Sequence, residues 1–149
     1  MQEIADTLRR MEGVLLRGIV VTVALAAVAC GRGPATGAVH VVRMMETPAG
    51  QFVFEPAALT IRSGDVVRWV NVSGGVHNVA FYAEQIPPDA KPLLDAAMPA
   101  RLTDLTGPLL EQAGQTYEVA FADMPPGVYG YYCTPHEMLG MKAQLTITR

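Results

Sequence analysis

The sequence is poor in the side chains that carry most protein chemistry. Its 149 residues include two cysteines, three histidines and one tryptophan. Two cysteines allow one disulfide at most. Basic excess is missing too: 11 Lys and Arg stand against 14 Asp and Glu, a net charge of −3. Without a basic stripe the chain has no electrostatic footprint for a nucleic-acid partner. There is no block of like charges, no low-complexity tract and no internal repeat. A long apolar run is also lacking. The best, "IVVTVALAAVA" over Ile19–Ala29, has eleven residues, and a membrane-spanning helix needs ~20. What the chain does have is hydrophobic residues at 50% of positions. That is enough for a packed core to outweigh ordering entropy, in a length that suits one ordinary domain.

The short apolar run has a different use. Arg9, Arg10 and Arg17 precede it and small residues end it, the layout of a secretory signal over residues 1–29. Met11 serves as well as Met1 to start that pattern. The run closes in "AAVAC", which resembles a bacterial lipoprotein signal. Cys30 would then be the lipid-attachment residue, although Ala27 stands where leucine is usual. The alternative is cleavage after Ala29 to give a soluble secreted protein. Residues 30–38, with "GRGPATGA" after the cysteine, read as a flexible tether. Either way the expected location is the bacterial periplasm or cell envelope, with membrane contact only through an anchor at Cys30. A Cys30–Cys133 disulfide is the simple pairing in an oxidising compartment. If Cys30 is lipidated, Cys133 is a lone thiol in such a compartment, and a bound metal would explain it.

Residues 39–149 read as about eight short strands between turn signals: "VHVVRMM", "FVFEP", "ALTIRSGD", "VVRWVNV", "HNVAFY", "QTYEVAF", "GVYGYYC" and "MKAQLTIT". The spacing predicts an all-β Greek-key sandwich. Residues 83–112 differ. Five prolines interrupt them, with "AKPLLDAAM" as one short helix, so they read as a long, partly helical insert. "DMPPGVY" places Asp123 and Gly127 ahead of Tyr129 at a strand start, as in a tyrosine corner. Period-two alternation turns Met141, Ala143, Leu145 and Ile147 to one face, and Tyr129, Tyr131 and Cys133 to another. His77, Val79 and Phe81 also share a face.

"CTPHEMLGM", residues 133–141, gathers a thiol, an imidazole and two thioethers. Cys133, His136 and Met141, joined by the distant His77, make a Cys/His/His set with a weak thioether, the donors of a type 1 copper site. Thiolate and thioether suit Cu(I), and imidazole suits both oxidation states. Zinc is the metal alternative, but closed zinc sites do not use thioether. Met138 competes with Met141 as the thioether. It lies inside the turn, whereas Met141 opens an inward-facing strand. His40 has no motif and reads as structural or surface.

Cys, two residues, His, four residues, Met, preceded far upstream by His-Asn in "VHNVAF", is similar to the cupredoxins, especially plastocyanin, pseudoazurin and amicyanin-like proteins. The resemblance covers residues 39–149. It implies one mononuclear copper held by His77, Cys133, His136 and Met141. Asn78 would offer its backbone N–H to the thiolate and brace the ligand loop. Pro135, having no N–H, would offer none. It further implies a monomeric one-electron carrier rather than an enzyme, meeting a cytochrome, oxidase or reductase transiently. The electron would pass at the His136 edge, inside an apolar rim of Pro135, Met138, Leu139 and Leu109 or Leu110. Tyr132, outward beside Cys133, would be a second route. There is no further set of histidines for a catalytic copper. Copper delivery or storage in the envelope is the alternative function.

Overall fold

The structure is a computed structural model, and it describes residues 37–149. The signal segment, Cys30 and most of the tether lie outside the described residues. Eight strands form two four-stranded sheets. The first has the order β2 (Phe52–Glu55), β1 (Val39–Glu46), β4 (Val66–Asn71), β6 (Thr116–Ala120). The second has the order β3 (Ala58–Arg62), β8 (Lys142–Thr148), β7 (Gly127–Tyr132), β5 (Ala80–Phe81). β1 runs parallel to β4 and β3 parallel to β8, while the other pairings are antiparallel. The expected all-β sandwich is what the chain forms.

Alternation explains which residues meet between the sheets. In β1, Val42 and Met44 are buried; in β4, Val67, Trp69 and Asn71; in β8, Leu145 and Ile147. Trp69 is the centre, with Phe81, Tyr117, Phe121 and Tyr131 around it at ring-centroid distances of 5.7–6.4 Å. Most of these pairs are edge-on or tilted, the arrangement aromatic quadrupoles prefer. The tyrosine corner is present: the Tyr129 hydroxyl donates to the Pro125 carbonyl at 2.6 Å.

One strand departs from expectation. Residues 77–82 form only the two-residue β5, and His77 to Phe81 are buried without alternation. The cause is the insert. It contains helix α1 (Ala90–Ala97), with Pro92 in its first turn where a missing N–H does no harm. It then returns along this segment and pairs with the edge that β7 leaves free. Phe81 N–H donates to Leu105 O, Gly107 N–H to Val79 O, and His77 and Leu110 exchange both backbone bonds. Hydrogen-bonded to β7 on one side and to the insert on the other, the segment is an interior strand with residues of both parities buried.

At the end of β4 away from these contacts, Asp65 closes the sandwich. Its carboxylate accepts the Ala38 N–H at 2.9 Å, the Arg62 N–H at 3.0 Å and His40 Nε2–H at 2.8 Å. His40 is therefore a structural partner, as its lack of a motif suggested.

Candidate metal centre

Three donor atoms converge at the other end of the sandwich. His77 Nδ1 lies 3.6 Å from the Cys133 Sγ, and His136 Nδ1 lies 3.4 Å from it. The ligand atoms of the three residues all fall within 4.8 Å of one another. Cys133 is a free thiol, fully buried at the end of β7.

The ring of His77 is oriented from behind. Its Nε2 lies 2.8 Å from the Ser73 carbonyl, which can only accept. The proton is thus on Nε2, and the Nδ1 lone pair faces the sulfur. His136 is held by stacking. Its ring lies on Phe52 with centroids 3.8 Å apart and planes 7° from parallel. Phe52 also meets His77 edge-on at 6.2 Å. Neither Phe52 nor Ser73 belongs to the ligand motif. The sequence signal for Phe52 was only its shared face with Phe54.

The loop between β7 and β8 folds as 3-10 turns over Thr134–Leu139. Backbone bonds close it at its neck. Cys133 N–H donates to Met141 O, and Met141 N–H to His136 O, each at 3.1 Å. Gly140, at φ 86°, makes the left-handed turn that lets the chain re-enter β8. Met141 is thereby fully buried at the neck, whereas Met138 is 95% exposed at the tip. The tip position leaves Met138 to solvent.

Asn78 braces this loop from the β5 side. Its Oδ1 accepts the Thr134 N–H at 2.7 Å, and its Nδ2 donates to Thr134 Oγ1 at 3.1 Å. Burial pushes the Cys133 thiol up, while the backbone N–H groups of Asn78 and His136 pull it down. Pro135 indeed brings no N–H, yet the sulfur still has two amide neighbours because His136 supplies the second. Burial holds both His77 and His136 below the usual histidine range, and for His136 the nearby His77 adds to it. A protonated thiol beside two neutral imidazoles is ready to exchange one proton for a cation.

Of the expected rim residues, Leu139 and Leu109 are exposed, but Leu110 is buried at the His77 backbone. Tyr132 is half-covered. Tyr82 stacks on it at 4.3 Å and donates its own hydroxyl to Glu137.

Thiol, two imidazole nitrogens and a buried thioether fit copper and do not fit a closed zinc site. A two-sheet sandwich with these donors at one end defines the cupredoxin class, whose cofactor is one type 1 copper. The model of the copper binding proteins, plastocyanin/azurin family, matches residues 41–148, and the chain belongs to that family. A plastocyanin of Synechococcus sp. (strain JA-2-3B'a(2-13)) is 37% identical over 147 residues, 99% of this chain and 98% of that protein. A plastocyanin of Nostoc punctiforme is 38% identical over 102 residues, 68% of each chain. Among solved structures, the oxidized plastocyanin of Dryopteris crassirhizoma covers 73% of this chain and all of its own, with 29% identity and a TM-score of 0.56. Pseudoazurin of Methylobacterium extorquens AM1 matches 73% of this chain and 74% of its own, with 27% identity and a TM-score of 0.51.

Proposed function

We propose that the protein is a one-electron carrier of the cell envelope. His77, Cys133, His136 and Met141 would hold the metal, and a copper ion there supplies the Cu(II)/Cu(I) couple. The observation that carries this reading is the convergence of two imidazole Nδ1 atoms on a buried thiol, each ring fixed from outside the site. Preset ligands move little when charge changes, so reorganisation is small. His77, Cys133 and Met141 are fully buried, while His136 is only half-buried. His136 is thus the ligand nearest solvent, and Met138, Leu139 and Leu109 are exposed apolar residues around the loop that bears it. A small apolar rim suits the brief, low-area encounters of redox partners such as a cytochrome, oxidase or reductase. No acid, base or nucleophile is needed for such a role.

The buried ligands also speak against delivery or storage, which need donors open to exchange. Loading with Cu(II) should give intense thiolate-to-copper absorption and a reversible one-electron wave. A colourless protein with ordinary type 2 EPR overturns the reading, and rapid copper loss to a mild chelator would favour delivery instead. The domain division carries over: residues 1–29 as signal, residues 30–38 as lipid-attachment cysteine and tether, residues 39–149 as a monomeric copper domain in the periplasm. Cys30→Ser should then release the protein from membranes, and a variant that stays membrane-bound overturns anchoring at Cys30.

A further inference from the structure

Asn71 ends β4, where Val67 and Trp69 share its inward face, and it is 1% exposed. An amide at such a place is costly unless its polar atoms are used. Its Oδ1 has no partner. Its Nδ2 has two, the Gly75 carbonyl at 2.8 Å and the Leu110 carbonyl at 2.9 Å.

Both carbonyls belong to segments that fix His77. Leu110 O also accepts the His77 N–H at 3.0 Å, and Leu110 N–H donates to His77 O at 2.7 Å. Gly75 lies two residues from Ser73, whose carbonyl faces His77 Nε2. The backbone of His77 is thus tied to the insert and its ring to the Ser73–Gly75 loop. The Asn71 amide joins the two. Asn71 itself is anchored by its backbone, which accepts from Gly114 N–H at 2.7 Å and donates to Gln115 O at 2.9 Å.

We propose that Asn71 is a positioning residue of the metal centre, clamping the Ser73–Gly75 loop to Leu110 so that His77 keeps one tautomer and one place. Its functional meaning rests on His77 being a ligand, but the clamp is a property of the metal-free protein and is testable there. Nitrogen-15 NMR of the reduced, metal-free full chain reads the His77 tautomer directly, and amide exchange reads the His77 and Leu110 backbone. Asn71→Leu keeps the branched shape and removes both donors. Asn71→Ser is a smaller change for use if the first does not fold. Val67→Ala is a destabilising control on the same strand and face.

The wild type should show a single Nε2–H tautomer at His77. Both Asn71 variants should show mixed tautomers at His77 and at least about tenfold faster exchange at His77 and Leu110, with His136 unchanged. Val67→Ala should lower the melting temperature and leave the His77 tautomer alone. The proposal is overturned if the Asn71 variants keep the tautomer and exchange within about twofold of wild type. It is equally overturned if Val67→Ala mixes the tautomers as much. A wild type that binds Cu(II) without thiolate absorption defeats the electron-carrier reading instead, and the tautomer comparison still decides the clamp.

Discussion

Phe52 donates no ligand atom, yet it touches both imidazoles of the site. Its ring stacks on His136 and stands T-shaped to His77. A stacked aromatic pair contributes about 0.5–1.5 kcal/mol beyond area burial. Phe52→Leu keeps an apolar contact but loses the stack, so His136 should leave the metal more easily. Copper release to a competing chelator, followed by loss of the thiolate absorption, should accelerate by up to about tenfold. A rate equal to wild type would mean that the neck of the ligand loop alone holds His136. The two methionines separate as cleanly. Met141→Leu should change the absorption spectrum and reduction potential, because the buried side chain at the neck is removed as a weak donor. Met138→Leu, at a 95% exposed position, should leave both unchanged. The reverse result would move the thioether to the loop tip.

Among the elements, the Ser73–Gly75 loop and the insert do the least regular and most consequential work. Gly74 has φ 88°, and a Cβ there would sit 2.9 Å from Glu46 Cβ, 3.0 Å from Glu46 N and 3.1 Å from Phe52 Cε1. Backbone cannot step aside, so Gly74→Ala should lower the stability of the metal-free protein by about 1–3 kcal/mol in urea unfolding. It should also speed copper loss, since the displaced ring is the one under His136. In the insert, Leu105 takes φ 55°, which is unfavourable for a branched side chain. Its N–H is held by Asp95 Oδ1 at 2.9 Å, and Arg101 pairs with the same carboxylate. Asp95→Ala should release this turn, costing about 1–2 kcal/mol, and the Leu105 and Gly107 amides should exchange faster than those of β1. An unchanged protection pattern would show that the turn holds itself.

These are also the parts the sequence concealed. The strands with one wet face were legible because alternation survives in β1, β4 and β8. The ligand loop was legible because its spacing is local. The insert was visible as prolines and one short helix, which forms at Ala90–Ala97, but its backbone bonds to His77, Val79 and Phe81 connect residues about thirty apart, and no periodicity records such a pairing. Asn71 did leave a trace, an amide at inward parity beside Val67 and Trp69, but its partners are carbonyls, which have no letter in a sequence.

At the scale of the whole molecule, the sandwich keeps its chemistry and one of its main electrostatic fastenings at opposite ends of β4. Away from the metal centre, Asp65 ties Ala38, His40 and Arg62 together. The Arg62 N–H, and next the His40 hydrogen bond, hold this carboxyl below its ordinary value of 3.8. The Leu105 N–H, and then Arg101, do the same for Asp95. A carboxyl depressed in the folded state binds its proton more readily when unfolded, so stability rises with pH wherever the unfolded chain holds more protons. The contribution is fully present above the unfolded value, near pH 4, and is lost as pH falls through the lower folded value. Urea midpoints of the metal-free protein, followed by the fluorescence of the buried Trp69, should therefore be flat above about pH 7, decline below it because the buried His77 and His136 take up protons more readily when unfolded, and fall further below about pH 4 as Asp65 and Asp95 protonate. Asp65→Asn cannot ionise. It should be less stable than wild type near neutral pH, and the gap should narrow on acidification as Asp65 protonates in the wild type. Because the metal donors lie at the other end, copper added to the variant at neutral pH should give the wild-type absorption spectrum. A gap that stays constant across the acid range would assign the loss to packing rather than to the Asp65 carboxylate. A changed copper spectrum would mean that the two ends of the sandwich are coupled.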